Sequence, residues 1–526
     1  MLTNPNPAQS CGIISYRDPK IPVIGEKLII LMKILILLYF LCAVLLTLYG
    51  INSHVMIHLF KRRHARRRRE DRIVVSNFYG GAVPLNDPQP FAQSLPTVTT
   101  QLPIFNELNV AERLIDAAAT MVYPRGRHEI QVIDDSTDET RQIVAAKVVE
   151  LRQQGVDIKH ITRKDRKGFK AGALRFGLDR ASGEYLAIFD ADFVPPPDFL
   201  LKSIPFFIAD SRLGFVQGRW GHLNGEESFV TRLQSIGING HFMVEQSARN
   251  FNGLFMNFNG TAGIFRKTAV LEAGNWQDDT LTEDMDLSYR IQLAGWRCRY
   301  LVDLVAPAEI PSNVNAFKGQ QFRWAKGSIQ TAKKLLPRIL QADISGFAKF
   351  QAFMHLTHYL IHPLMLFLAV MALPVLLSGQ PRLPAVLFFA FGSLLVLSCS
   401  GPSCLYVVAE HALDKSRLKT LLLMPLMICF GCGLAVNNSR AVLEALIGRK
   451  SAFIRTPKKG FSRTKRYLPA RSSLYLTEIG VGLWCLAGMA VYFAADLYLV
   501  GHFLFLYAAG YLSIGILSWR HGVNPS

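Results

Sequence analysis

Two carboxylates, Asp190 and Asp192, stand one residue apart at the end of the apolar run AIFDADF, residues 187–193. Side chains at i and i+2 share one face of extended chain, so both can approach a single cation. Magnesium and manganese take hard oxygen ligands and share their shell with substrate phosphates. The pair is therefore a candidate site for Mg2+ or Mn2+ carrying a nucleotide diphosphate. Taken alone, a solvated strand end has the same sequence. The surroundings of the pair separate the two readings.

Residues 98–104, 129–133, 158–162 and 185–189 read as strands, and 107–119, 138–153 and 171–181 as helices. This alternation predicts an α/β fold with a doubly wound, mostly parallel sheet. In such sheets ligands bind beyond the carboxyl ends of the strands. The first strand is followed by Phe105, Asn106 and Glu107, and the second by Asp134 and Asp135. Lys170 and Gly172 come after the third, and Asp190 and Asp192 after the fourth. Carboxylates can accept from base and ribose, and Lys170 can neutralise phosphate. Gly172 permits close approach at a helix start. Four strand ends thus carry complementary parts of one nucleotide site.

Further on, Phe258, Asn259, Gly260 and Thr261 form a small-residue turn. Thr282, Glu283 and Asp284 precede a helical pattern at 285–293, where a carboxylate can also serve as an N-cap. Gln320, Arg323 and Trp324 lie on an amphipathic helical stretch. Its plainest role is a helix at a membrane surface with an aromatic anchor.

The chain has 526 residues, of which 50% are hydrophobic, and its net charge is +19. Its mean hydropathy of +0.21 is too high for an ordinary soluble protein. The apolar residues cluster. Residues 28–49 are long enough to span a bilayer as a helix, and the run KRRHARRRR at 61–69 follows. A signal peptide is the rival reading, but the long polar leader and the arginines after the segment favour a retained anchor. Basic clusters beside spans mark the cytoplasmic side and contact anionic lipid headgroups. The charge thus points to membrane lipids and not to nucleic acid. Of the eight cysteines, Cys429 and Cys432 form a C-x-x-C inside an apolar run, which reads as packing.

Further apolar stretches lie at 353–377, 384–408, 421–436, 474–493 and 497–517. If all crossed, the basic segment 440–471 would lie outside, against the positive-inside rule. The stretch 421–436 is the shortest and holds Pro425, Gly431 and Gly433, so it is expected to be interfacial or re-entrant. That leaves five crossings with the C-terminus inside.

In this order Asp135, Asp190 with Asp192, Thr282-Glu283-Asp284 and Gln320-x-x-Arg323-Trp324 resemble the D, DxD, TED, QxxRW set of membrane-bound family 2 glycosyltransferases. The stretches DDSTD, RKGFKAGAL, FNGTAGIFR and TEDMDL are most similar to the cellulose-synthase-like A branch, the mannan and glucomannan synthases. The resemblance implies a GT-A-type cytoplasmic domain and a transmembrane helical bundle with interfacial helices. It implies that Asp134 and Asp135 contact the nucleoside, with Phe105, Asn106, Glu107, Lys170 and Gly172 nearby. Asp190 and Asp192 would hold the diphosphate and its metal, and Asp284, beside Thr282 and Glu283, would be the general base. Gln320, Arg323 and Trp324 would bind the diphosphate and the terminal sugar. The loop Phe258–Thr261 would lie against the acceptor. The segment Phe453, Arg455, Thr456 and Lys458 looks like the F-x-V-T-x-K gating loop of cellulose synthase, with Arg455 in place of valine. A basic lipid-contacting loop is the alternative there.

The implied function is processive, inverting polymerisation of a β-linked mannan, glucomannan or glucan from UDP-glucose or GDP-mannose, with export through the membrane. Transfer of one sugar to a lipid acceptor is the alternative. The implied setting is the plasma (inner) membrane, and accessory export subunits are admitted as partners. A C-terminal second-messenger domain is not expected after the last span. The expected order is a polar leader (1–27), a first transmembrane helix (28–60), a basic linker (61–95) and the catalytic domain (96–312). Interfacial helices (313–345) and transmembrane helices two and three (346–410) follow. Then come the re-entrant segment and gating-like loop (411–473), helices four and five (474–519) and a tail (520–526).

Overall fold

The computed structural model describes residues 23–377, 385–451, 458, 460 and 473–523. The leader before residue 23 and the gating-like positions Phe453, Arg455 and Thr456 lie outside the described residues. Seven strands form one sheet: β1 (Val98–Ile104), β2 (His128–Asp134), β3 (Ile158–Thr162), β4 (Tyr185–Ile188), β5 (Leu213–His222), β6 (Gly263–Arg266) and β7 (Arg297–Ala308). Their order is β3-β2-β1-β4-β6-β5-β7. β1 to β4 are mutually parallel, as the strand-helix alternation predicts. β6 runs antiparallel to both its neighbours.

The central strands are buried on both faces, so even their polar side chains must find partners. Thr99 Oγ1 donates to Glu129 Oε2 at 2.6 Å, and Gln101 Nε2 donates to Gln131 Oε1 at 3.1 Å. The helix Phe169–Leu178 presses so closely on this sheet that a Cβ at Gly177 would lie 2.5 Å from Gln101 Nε2. Apolar clusters fill both sides. One joins Leu102, Leu114 and Phe199, and the other joins Leu174, Phe265 and Leu287.

The antiparallel β6 places the site loops. Its pairing of Gly263 with Ile188 lays the turn before β6 beside the end of β4. The Asp190 amide then donates to Thr261 Oγ1 at 2.9 Å.

The first helix departs from the sequence expectation. It runs unbroken over Val23–Tyr79, 57 residues, through the basic run expected to begin a linker. Such a helix is about 85 Å long at about 1.5 Å per residue, far more than a bilayer core of about 30 Å needs. Its basic half docks on the sheet-bearing part of the chain. Arg68 pairs with Asp303 at 2.6 Å, Arg299 donates to Asp71 at 2.9 Å, and Arg63 caps the Phe251 carbonyl at 2.8 Å. Arg66 and Glu70 add a pair one turn apart. The helix stops where Gly80 and Gly81 take positive φ.

Five described helical segments are long and apolar enough to cross a membrane: Ile30–Tyr79, His358–Leu377, Gly392–Ala412, Leu474–Ala494 and Tyr498–Gly522. Arg417–Gly433 and Ala435–Leu446 form a further pair bent by 42°. This bent pair contains the stretch 421–436, which charge parity predicts to be interfacial or re-entrant. The helix Val314–Gln341 lies between the sheet and the membrane helices and packs on Ala435–Leu446 through Ala325, Ile329, Ala441 and Val442.

Candidate active site

The carboxyl ends of β1, β2 and β4 open into a cleft. Asp190 and Asp192 line it, and each carboxylate meets a lysine. Lys170 Nζ lies 2.5 Å from Asp190, and the Lys458 ammonium contacts Asp192. Lys170 also donates to the Gly260 carbonyl at 2.8 Å and stands 4.0 Å from Glu283. One ammonium thereby gathers three segments that the sequence separates by almost a hundred residues.

Glu283 and Asp284 begin the helix Glu283–Leu293. Asp284 Oδ1 accepts from the Met285 amide at 2.8 Å. Its other oxygen faces Gly260, which sits at φ +81° and where a Cβ would lie 3.0 Å away. Glycine is thus required for the loop to close over this carboxylate. Gly260→Ala is expected to lower turnover by about 100-fold, since displacing a reacting group by about an ångström costs that much. Steady-state kinetics beside a thermal melt checks this. Thr282 packs on Gly327 of Val314–Gln341, which brings that helix to the cleft. Gln320, Arg323 and Trp324 project from it at i, i+3 and i+4 and line the same cleft.

Burial pushes the Asp284 carboxyl up to about 7, the Glu283 carboxylate pushes the same way, and the Lys170 ammonium opposes both. Glu283 and Asp190 are also raised by burial against the pull of Lys170. Asp192 adds to the rise at Asp190. Burial lowers the Arg323 guanidinium to about 10, with Glu283 opposing.

Several expected residues take other places. Asp135 lines the cleft, gripped by Arg163 through Nε at 2.8 Å and a second contact. Asp134 does not line it. It is buried, accepts from the Ser136 amide at 2.8 Å and lies 2.9 Å from His160 Nε2. Adjacent residues of extended chain point to opposite faces, so only Asp135 of the pair faces the cleft. Phe105 and Glu107 line the cleft, whereas Asn106 bridges loops, its amide donating to Ser136 Oγ at 2.9 Å. Gly172 is buried where a Cβ would strike the Lys167 carbonyl, so it serves the local turn. Asn259 and Gly260 line the cleft. Phe258 is buried between Phe215 and Phe265, and Thr261 is buried beneath Asp190.

Sequence reasoning missed Arg166, whose guanidinium sits 3.3 Å above the Phe105 ring, and Trp220 and His222 at the end of β5. The signal for the last two was the aromatic pair in RWGH, hidden because β5 was not recognised as a strand.

Among the described residues no group of three or more acidic, His or Cys side chains could hold a metal. Two carboxylates nevertheless fit Mg2+ or Mn2+ when phosphates complete the shell. The lysine ammonium on each carboxylate answers the same demand for positive charge.

A family model described as glycosyl transferase family group 2 matches residues 185–399. Glucomannan 4-beta-mannosyltransferase 1 of Oryza sativa subsp. japonica is 32% identical over 481 residues, 88% of each chain. A chain of the same plant named as a probable glucomannan 4-beta-mannosyltransferase 7 is 44% identical over 260 residues, 48% of this chain. The higher-identity matches span about half the length of those relatives, 44% and 51% for two of them. A solved mannosyltransferase of Pyrobaculum calidifontis, in complex with GDP-Man and Mn2+, is 17% identical. It covers 77% of this chain and 100% of its own, with a TM-score of 0.42.

Proposed function

Since the chain belongs to the family 2 glycosyltransferases, in the cellulose-synthase-like A branch with the glucomannan 4-beta-mannosyltransferases, we propose that it elongates a β-linked glycan by inverting transfer from a nucleotide sugar. The carrying observation is the convergence of Asp284, Lys170 and Asp190 around Gly260. An inverting transfer needs one base, aimed at the acceptor hydroxyl from the face opposite the leaving diphosphate. Asp284 takes that proton. Its raised pKa, near 7, makes its carboxylate a stronger base that is still ionised in good part near neutrality. Glu283 holds Arg323 and Lys170 in place by charge.

Asp190 and Asp192 would hold Mg2+ or Mn2+, whose charge stabilises the departing diphosphate. Lys170 and Arg323 add fixed cations at the same end, where charge develops in the transition state. Phe105 with Arg166 offers a flat cationic surface to the base, beside Asp135. Trp324 offers its ring to the terminal sugar of the acceptor. The names of the relatives support GDP-mannose as a donor, with UDP-glucose the partner donor of a mixed polymer. The candidate membrane helices support export of the product, and the basic run after the first span supports a cytoplasmic catalytic domain.

Asp190→Ala and Asp192→Ala are each expected to abolish metal-dependent donor binding. Titration calorimetry with GDP-mannose, with and without Mn2+, reads this; unchanged metal dependence in both variants defeats the assignment. The whole reading is tested with full-length protein in vesicles, given radiolabelled UDP-glucose and GDP-mannose separately and together. A long glycan cut by linkage-specific glycanases is expected. A single sugar on an extractable lipid would overturn it.

A further inference from the structure

The cleft wall at Asn259 is held from behind by an irregular turn. Between the helices Phe229–Asn239 and Ser247–Phe251 the chain winds as a π-helix over Gly240–Gln246. Gly240 makes room for it: a Cβ there would lie 2.6 Å from the Tyr406 ring of the helix Ala385–Ala412. Such wide turns are rare and recur at functional sites. In an α-helix, residues five apart point about 140° away from each other, whereas i→i+5 bonding stacks them. The π turn therefore sets His241 and Gln246 on one face, and both close on the Asn259 amide. Gln246 Nε2 donates to Asn259 Oδ1 at 2.5 Å, and Asn259 Nδ2 lies 3.1 Å from His241 Nε2. The imidazole Nδ1 lies 2.9 Å from Glu245 Oε2. The same turn carries Phe242, whose ring stacks on Trp220 of the cleft at 4.8 Å.

One backbone carbonyl fixes every proton in this chain of bonds. Gln246 Nε2 also donates at 2.8 Å to the Asn257 carbonyl, which can only accept. The nitrogen of the Gln246 amide is thus on this side, and Asn259 must offer it an oxygen. Asn259 then offers an N–H to His241, so Nε2 accepts and the ring proton sits on Nδ1, facing Glu245. The Asn259 main-chain amide is tied as well, donating to Gln217 Oε1 at 2.9 Å.

These ties reach the reacting groups through one peptide. Asn259 lines the cleft, and the next residue is Gly260, whose carbonyl accepts from Lys170 and whose Cα faces Asp284. A side-chain amide has two donor and two acceptor directions, and the bonds above use one of each. The half-buried Asn259 keeps one of each, in an order that His241 and Gln246 set.

We propose that His241 is a positioning residue for the acceptor. Through Nε2 it holds the Asn259 amide, and with it the turn at Gly260, in the orientation that seats a sugar hydroxyl against Asp284. The inference rests on the reading of the chain as an inverting transferase with Asp284 as base. In that reaction the acceptor oxygen bonds to the anomeric carbon as the bond from that carbon to the diphosphate breaks, and the acceptor's proton passes to Asp284. Water in the acceptor's place undergoes the same exchange and yields free sugar. Loss of acceptor positioning therefore shows in how the donor divides between glycan and free sugar.

His241→Leu keeps bulk and loses the accepting nitrogen. His241→Gln can place an amide oxygen where Nε2 stood, whereas His241→Asn is shorter and reaches only the Nδ1 position. Full-length wild type and the three variants, in lipid nanodiscs with Mn2+, are given GDP-mannose and UDP-glucose separately and together. The ratio of glycan to free sugar is expected to fall about tenfold in the leucine and asparagine variants, as for a buried amide left unpaired, and to stay within about threefold of wild type in the glutamine variant. Thermal melts and GDP binding on the same samples should match wild type. Should the leucine variant not fold, the two amide variants decide alone. An unchanged ratio in the asparagine variant, or a glutamine variant no better than it, overturns the proposal. So does a fall in total turnover at an unchanged ratio, which is what a loosened fold gives. A wild type that makes glycan while every variant divides the donor alike removes His241 and leaves the transferase reading standing. A wild type that consumes neither donor overturns that reading and this proposal with it.

Discussion

Asp284→Asn is expected to lower turnover by about 10²–10⁴-fold, the range for loss of a positioned general base. Nucleotide-sugar affinity should not change. The substitution is nearly isosteric, and an amide oxygen can still accept from the Met285 amide, as Asp284 Oδ1 does at 2.8 Å. Folding should therefore be preserved, because a buried carboxyl already raised to about 7 gives up little on becoming neutral. The same shift sets a pH signature. Only the ionised carboxylate can take the proton, so kcat/KM should rise with pH and level off above about 7, losing about tenfold per unit below. An unperturbed aspartate near 3.9 would leave the profile flat there. By linkage, a folded-state pKa above the unfolded one gives stability that is present in acid and lost as pH rises through about 7. Activity and this part of stability thus move in opposite directions, and Asp284→Asn should abolish both trends. A pH–rate profile beside a pH series of thermal melts reads them. An Asn variant that still turns over would remove Asp284 from the role of base.

The first half of the sheet was legible because its strands are short, apolar and each followed by an amphipathic helix. β1 and β3 fall where the pattern puts them, and β2 and β4 differ by one residue at their ends. β5 escaped because LGFVQGRWGH carries three glycines and the bulky polar or aromatic residues Gln217, Arg219, Trp220 and His222, which read as loop without knowledge of the sheet. β7 carries arginines, an aspartate and Pro307 within one strand, which only an edge position tolerates. β6 has four residues and no period to detect. The cleft-lining residues on loops after β1 to β4 were therefore named, apart from Arg166, and those on β5 were not. The basic run was read through its nearest neighbour in sequence, a span. Arg68 of the run pairs with Asp303, and Asp71 just after it with Arg299, each more than two hundred residues away, where no local pattern points.

The pattern TEDMDL also holds two aspartates with different work, and Asp286→Ala should expose the difference. Residues two apart on a helix face different sides, so Asp286 turns away from the cleft and is wholly buried. It pairs with Arg290, one turn on, at 2.8 Å and with Lys334 at 3.0 Å. Arg290 in turn donates to the Ala273 and Asn275 carbonyls, fixing the turn after the helix Lys267–Glu272. Lys334 belongs to the helix that carries Arg323 and Trp324. One carboxylate thus joins the helix of Asp284, the turn behind it and the helix of the QxxRW residues. Removing it leaves a buried guanidinium without its counter-charge, which costs about 3–5 kcal/mol. A melting temperature lower by roughly 6–20 °C follows for a unit of this size. Asp286→Asn should fall between, since it keeps shape and one acceptor but not the charge. Asp286→Ala should lose donor binding and turnover together as the fold loosens, where Asp284→Asn loses turnover alone. A melt and a binding titration on the two variants side by side separate a carboxylate that reacts from one that holds the reacting helix. Equal melting temperatures for Asp286→Ala and wild type would show that the Arg290 charge finds another partner, and the anchoring role would be withdrawn.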